Sequence, residues 1–131
     1  CIEDAMSHSA GDYVRRRAEK QAFNRRVADF FTKYDLLLTP STSVTALDAG
    51  ALNPPDWPQT DWNWLAWASF SYPFNFSGNP AANVPIGFAS DGLPMGLQIV
   101  GKRFGDLSVL QASAAYEAAY PWAQHRPPEP S

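Results

Sequence analysis

Acyl transfer by a side chain needs a nucleophile, a base to take its proton and donors that hold the oxyanion, so cysteine, histidine and serine are the residues to place first. Cys1 is the one cysteine of the chain. An N-terminal cysteine can attack with its own amine as base, but that chemistry sets the first residue on a strand, and Cys1-Ile2-Glu3-Asp4 leads into helical sequence. His8 stands just ahead of that helix and His125 in a proline-rich tail, so both read as surface residues rather than bases. No Gly-x-Ser-x-Gly elbow, glycine-rich phosphate loop or His-Glu-x-x-His motif occurs. One cysteine and two distant histidines make no structural zinc set, and the carboxylates are scattered, with no pair placed by one element. The residues therefore nominate no catalytic side chain, no metal site and no cofactor.

Two clusters remain. Six of the ten basic residues fall between Arg15 and Arg26, which could form a phosphate-binding face. Their spacing sets Arg15, Arg16 and Arg26 away from the apolar stripe of the same segment, the pattern of a solvated outer face. The segment Asp61-Trp62-Asn63-Trp64-Leu65-Ala66-Trp67-Ala68-Ser69-Phe70-Ser71-Tyr72 holds three of the five tryptophans. Rings at this density either plug a core or wall an apolar pocket, because pockets are largely aromatic with a few placed polar groups.

Around these clusters the chain divides by period. Val14, Ala18, Ala22, Phe23, Val27, Phe30, Phe31 and Tyr34 recur at three- and four-residue steps. They predict a helix over 9–33, with Ser9 and Asp12 as its N-terminal cap. Residues 34–40, Tyr-Asp-Leu-Leu-Leu-Thr-Pro, have the form of an interior strand buried on both faces and stopped by proline. Residues 41–60 carry no period and three prolines, and read as a long exposed loop of the kind that serves function or moves. The aromatic segment and a turn occupy 61–80, with a short helix ending before Pro73 and a linker from Asn75 to Pro80. A hairpin spans 81–101 about Asp91-Gly92, with Pro85 marking an edge, an end or a bulge. A last helix over 106–120 is capped by Asp106 and apolar along Leu107, Leu110, Ala114, Ala115 and Ala118. An extended tail of 121–131 closes the chain.

At 131 residues the chain fits one domain or part of one, and 45% apolar with 18% charged residues excludes a solvated disordered chain. A net charge of −3 argues against nucleic acid and anionic membranes as partners. The apolar run from Trp64 to Phe74 is too short and too interrupted to span a bilayer. No secretory signal is visible, and a lone thiol suits a reducing compartment, so the expected location is cytoplasmic. The start at Cys1, with no strand or turn before the first motif, raises the expectation of a fragment.

Three ordered blocks carry a resemblance. They are Tyr34-Asp35-Leu36-Leu37-Leu38-Thr39-Pro40, then Pro73-Phe74-Asn75-Phe76-Ser77-Gly78-Asn79-Pro80-Ala81-Ala82-Asn83-Val84-Pro85, then Asp91-Gly92-Leu93-Pro94-Met95-Gly96-Leu97-Gln98-Ile99-Val100-Gly101. Together, and with Glu117, Pro121-Trp122 and Arg126-Pro127, they resemble the C-terminal part of the amidase signature family, from about Ser9 to Pro127. The resemblance implies an α/β fold, part of a layered α/β/α domain around a mixed sheet. Family members are several times longer and hydrolyse amides with a serine nucleophile, a second serine in a cis peptide and a lysine, all in an upstream glycine- and serine-rich core. No Gly-Gly-Ser-Ser stretch is present here, and Lys20, Lys33 and Lys102 match none of those positions.

The expectation that follows is the C-terminal segment of an amidase, residues 1–131, which supplies strands and part of the substrate pocket but no chemistry and is inactive alone. In the glutamyl-tRNA amidotransferase branch of the family an acidic residue just before the Pro-x-Asn block binds the glutamine amine. Ala68 stands near that place and the nearest acid is Asp61, which disfavours glutamine. An aryl or apolar amide suits the aromatic segment better, and Trp64, Trp67, Phe70, Tyr72 and Asn75 are the candidate substrate-binding residues. The competing reading is a stand-alone, non-catalytic binding or interaction module. An isolated segment would also expose strand edges and associate with itself.

Overall fold

Ser9 and Asp12 start the first helix by satisfying each other's backbone. The Ser9 hydroxyl accepts the Asp12 N–H at 3.1 Å and the Asp12 carboxylate accepts the Ser9 N–H at 2.9 Å, a reciprocal capping box. The Ser9 hydroxyl, then the Ser9 amide, then Arg15 hold the Asp12 carboxyl below the usual aspartate range. Helix α1 runs Ala10–Phe30 in a computed structural model that describes residues 6–57 and 66–125. It stops short of the expected Lys33 because the backbone tightens. The Thr32 and Lys33 amides bond back three residues, to Asp29 and Phe30, and the Phe30 ring stacks on Tyr34 at 4.6 Å. Its apolar stripe holds no buried side chain: Phe23, Val27, Phe30 and Phe31 are half-buried and Val14 is exposed.

Strands β1 (Leu36–Pro40), β2 (Ala81–Phe88) and β3 (Pro94–Gly101) form one sheet in the order β1-β3-β2. Both pairings are antiparallel, so the parallel contacts of a mixed sheet are not made among the described strands. The β2–β3 hairpin turns at Asp91-Gly92, where Gly92 has φ 81° and the Asp91 carboxylate accepts the Leu93 N–H at 3.0 Å. The register shifts between Pro85 and Gly87, a bulge on an edge strand. The segment expected to be buried on both faces is instead the other edge. β1 bonds only to β3 among the described strands, and Leu38 is 58% exposed while Leu36 and Leu37 are half-buried. A leucine run reports that a strand wants cover on both sides; it does not supply the element that gives it.

Helix α2 (Tyr72–Ser77) lies where a break and a linker were expected, and Pro73 sits in its first turn. Proline suits that turn because an amide there has no intrahelical partner to lose. Gly78, at φ 73°, ends the helix with its N–H on the Phe74 carbonyl at 2.8 Å. Phe76 of α2 meets Phe23 of α1 edge-on at 6.0 Å.

Helix α3 (Asp106–Ala119) packs on the sheet through Val109, Ala112 and Tyr116, against Leu36, Ala82, Val84, Leu97 and Ile99. The face read from the sequence is the outer one: Leu107 and Leu110 are 68% and 64% exposed. Gly101 decides which side turns inward. A Cβ there would meet a Val109 methyl at 2.6 Å, so the missing side chain is what lets the helix settle onto β3. Gly105 occupies the N-cap, and Asp106, expected as the cap, stands inside the first turn, where its charge faces the positive helix end. Among the described residues no helix is long and apolar enough to cross a membrane.

Candidate functional site

Residues 41–57 have no regular structure, yet their hydroxyls and amides fasten them down. The Ser41 N–H continues the sheet by donating to the Gly96 carbonyl at 3.0 Å. The Ser43 N–H donates to the Trp67 carbonyl at 3.0 Å, and the hydroxyls of Ser43 and Ser69 pair at 3.2 Å. The Trp67 indole N–H donates to the Leu52 carbonyl at 3.1 Å, and the Thr45 hydroxyl donates to the Asp91 carboxylate at 3.0 Å. The loop is thus tied to the short 3-10 turn Ala66–Ala68 through Ser43 and Leu52 and, between them, to the hairpin turn through Thr45.

The aromatic turn is in turn tied to the sheet. Gln98 is buried in β3, and its carboxamide donates to the Thr39 hydroxyl and to the Phe70 carbonyl, both at 2.9 Å. One side chain therefore couples β1, β3 and residues 66–70. It lies on the sheet face opposite the α3 core, since Thr39, Asn83 and Gln98 share a register position.

Between loop, turn and strand ends lies a cleft of about 780 Å³. Its walls are aliphatic for the most part, with Val44, Leu47, Ile86, Met95 and Leu97 among them, and Trp67 lines it too. The lining hydroxyls are those of Thr39, Thr42, Ser43 and Thr45. Among the described residues neither lysine nor histidine lines the cleft, and the one lining carboxylate, Asp48, bonds to none of these hydroxyls. The arrangement can bind an apolar group; its described residues hold no serine–base pair for acyl transfer.

Of the five candidate residues, Trp67 lines this cleft. Phe70 is half-buried and takes part through its carbonyl, which accepts from Gln98. Tyr72 and Asn75 sit exposed on α2, outside the cleft lining, and Trp64 lies outside the described residues. The loop wall, with Val44, Leu47 and Asp48, went unnamed in the sequence. Its signal was the combination of unusual length, missing period and apolar side chains among small polar ones, which marks a loop folded onto something.

Comparison with known proteins places this geometry. The model of the family described as Amidase matches residues 2–110. The chain is 36% identical over 107 residues to an acylamidase of Rhodococcus erythropolis, covering 75% of this chain and 21% of that protein. It is 35% identical over 128 residues to a glutamyl-tRNA(Gln) amidotransferase component of Lactococcus lactis subsp. cremoris, covering 93% and 25%. The crystal structure of a bacterial aryl acylamidase of the amidase signature family superposes with a TM-score of 0.77 at 32% identity, covering 97% of this chain and 28% of that one. The chain spans about one fifth of the length of the curated relatives it matches. With its hairpin, its aromatic turn and most of its length falling within one family model, the chain belongs to the amidase signature family.

Proposed function

We propose that this chain is the C-terminal part of an amidase that hydrolyses carboxylic amides through a serine–lysine mechanism whose catalytic residues lie outside residues 1–131. Its cleft under the Ser41–Leu52 loop holds the apolar part of the amide. The observation that carries the reading is a mainly apolar cleft tied on both sides to the sheet, with no serine–lysine or serine–histidine pair among the described residues of its lining. It is a binding wall in search of a catalytic centre. The partner is accordingly a small-molecule amide, and nucleic acid and membrane are not partners. An aryl group suits Trp67, the one aromatic side chain among the described residues of the lining, and a single cysteine supports a cytoplasmic location.

The test is an amidase assay of this chain and of a form extended upstream, against anilides, aliphatic amides and glutamine. Activity in the extended form alone is expected. Trp67→Ala in that form should lower kcat/KM for anilides about tenfold, the effect of losing roughly 1.5 kcal/mol of ring burial, and change short aliphatic amides less. Activity of the short chain, or unchanged aryl preference in the variant, would overturn the corresponding half of the proposal. Silence of both forms would favour a non-catalytic binding module.

A further inference from the structure

From Tyr34 to Gly101 the chain carries five aspartates and no glutamate, lysine, arginine or histidine. Every described residue lining the cleft lies within that stretch, between Leu38 and Leu97. Asp48 is the single ionisable side chain among them. Its carboxylate forms no ion pair and no side-chain hydrogen bond with any described residue; only its backbone carbonyl is engaged, by the Ala51 N–H at 2.9 Å. A second carboxylate stands one side chain behind the lining, since Thr45 donates to Asp91. Trp67 lines the same cleft, its ring held by the bond from its indole N–H to Leu52.

An apolar cleft with one such carboxylate, one indole and no cation among its described residues discriminates by charge. A ligand carrying a carboxylate meets the charges of Asp48 and Asp91, with no cation among the described lining residues to offset them. A neutral ligand leaves Asp48 to water. A ligand ending in an ammonium group pairs with this exposed carboxylate and is attracted to the indole ring as well. The aliphatic side chains Val44, Leu47, Ile86 and Met95 cover the methylenes that carry such a group.

We infer that, among amides with an aliphatic chain, the cleft favours those whose chain ends in an ammonium group, with Asp48 as the specificity-determining residue that pairs with it. The inference rests on the reading of this cleft as the substrate pocket, and the experiment separates the two. Binding of 5-aminopentanamide, pentanamide and glutaramate, three amides of equal chain length and different end charge, is measured by titration calorimetry. It is followed by NMR of the Val44 and Met95 methyl groups, on this chain and on the upstream-extended form.

The expected result is about tenfold tighter binding of 5-aminopentanamide than of pentanamide, weakest binding of glutaramate, and a preference that shrinks as salt rises. Asp48→Asn, a change on an exposed loop, should abolish the preference, bringing the affinities for 5-aminopentanamide and pentanamide together. The ratio of kcat/KM values for the first two amides in the extended enzyme should follow the same pattern. Equal binding of the charged and neutral amides, or a preference that survives Asp48→Asn, would overturn the inference and spare the pocket. Failure of all three amides to perturb the Val44 and Met95 methyls would overturn both.

Discussion

Gln98 shows how much one polar side chain can organise. It is 8% exposed, and a primary amide in that position is tolerable only because its donors reach the Thr39 hydroxyl and the Phe70 carbonyl. Gln98→Leu keeps the volume and deletes both bonds, leaving a carbonyl and a hydroxyl without their donor. A loss of about 1–3 kcal/mol of unfolding free energy is expected, read from the denaturant midpoint. The same change frees residues 66–70 from the sheet, so the Trp67 wall of the cleft should lose hydrogen-exchange protection at the Ser69 and Ser71 amides before α3 does. Uniform loss across the chain would mean that Gln98 serves the core alone.

Helix α1 is the element whose stability depends most visibly on charge. The Asp12 carboxylate accepts the Ser9 amide, the Ser9 hydroxyl and an Arg15 N–H most strongly when ionised, and its folded pKa lies below the unfolded one. Its contribution is therefore complete above the ordinary aspartate pKa of about 4 and is lost as pH falls through the lower folded value. Far-ultraviolet circular dichroism should show α1 fraying on acidification below about pH 4, and Ser9→Ala should weaken the helix by about 1 kcal/mol at neutral pH. If the acid transition of Ser9→Ala matched that of the parent, the cap would not be its origin. This cap was legible in the sequence, as were the hairpin at Asp91-Gly92 and the irregularity at Pro85, because each is a local event among neighbours in the chain. The burial of β1, the inward face of α3 and the helix around Pro73 were not, because each is decided by something distant. Gly101 admits Val109, the sheet order puts β1 at an edge, and Ser71 and Gly78 bracket a helix in which Pro73 takes the first turn. The site divides the same way. Trp67 was visible as part of a ring cluster, whereas Asp48 and Val44 became wall residues only when hydrogen bonds from Ser43 and Thr45 folded their loop back.

At the scale of the whole molecule, the apolar surface is arranged for a larger body. Leu107, Leu110 and Phe104 are exposed around α3, Leu38 on the open β1 edge, and Tyr13 and Val14 on α1. The stripe of α1 has no buried member at all, and the core under α3 is built on three buried side chains, Val84, Ile99 and Val109. A core of that size supports little stability, while strand edges that no described strand pairs and exposed leucines favour association. We expect the chain alone to populate dimers and larger species in sedimentation at micromolar concentrations, with midpoints of unfolding that depend on concentration. The form extended upstream should sediment as a discrete species, the outcome expected where added chain covers the β1 edge and Leu107 and Leu110. Introducing charge on that surface separates this cause from general stickiness: Leu107→Glu and Leu110→Glu should suppress association of the short chain and remove the concentration dependence of its midpoint, leaving the midpoint at high dilution as it was, since both side chains already lie in solvent. A monomeric parent chain with full hydrogen-exchange protection in β1 would instead mark residues 1–131 as a self-contained domain, and the exposed leucines as ordinary surface.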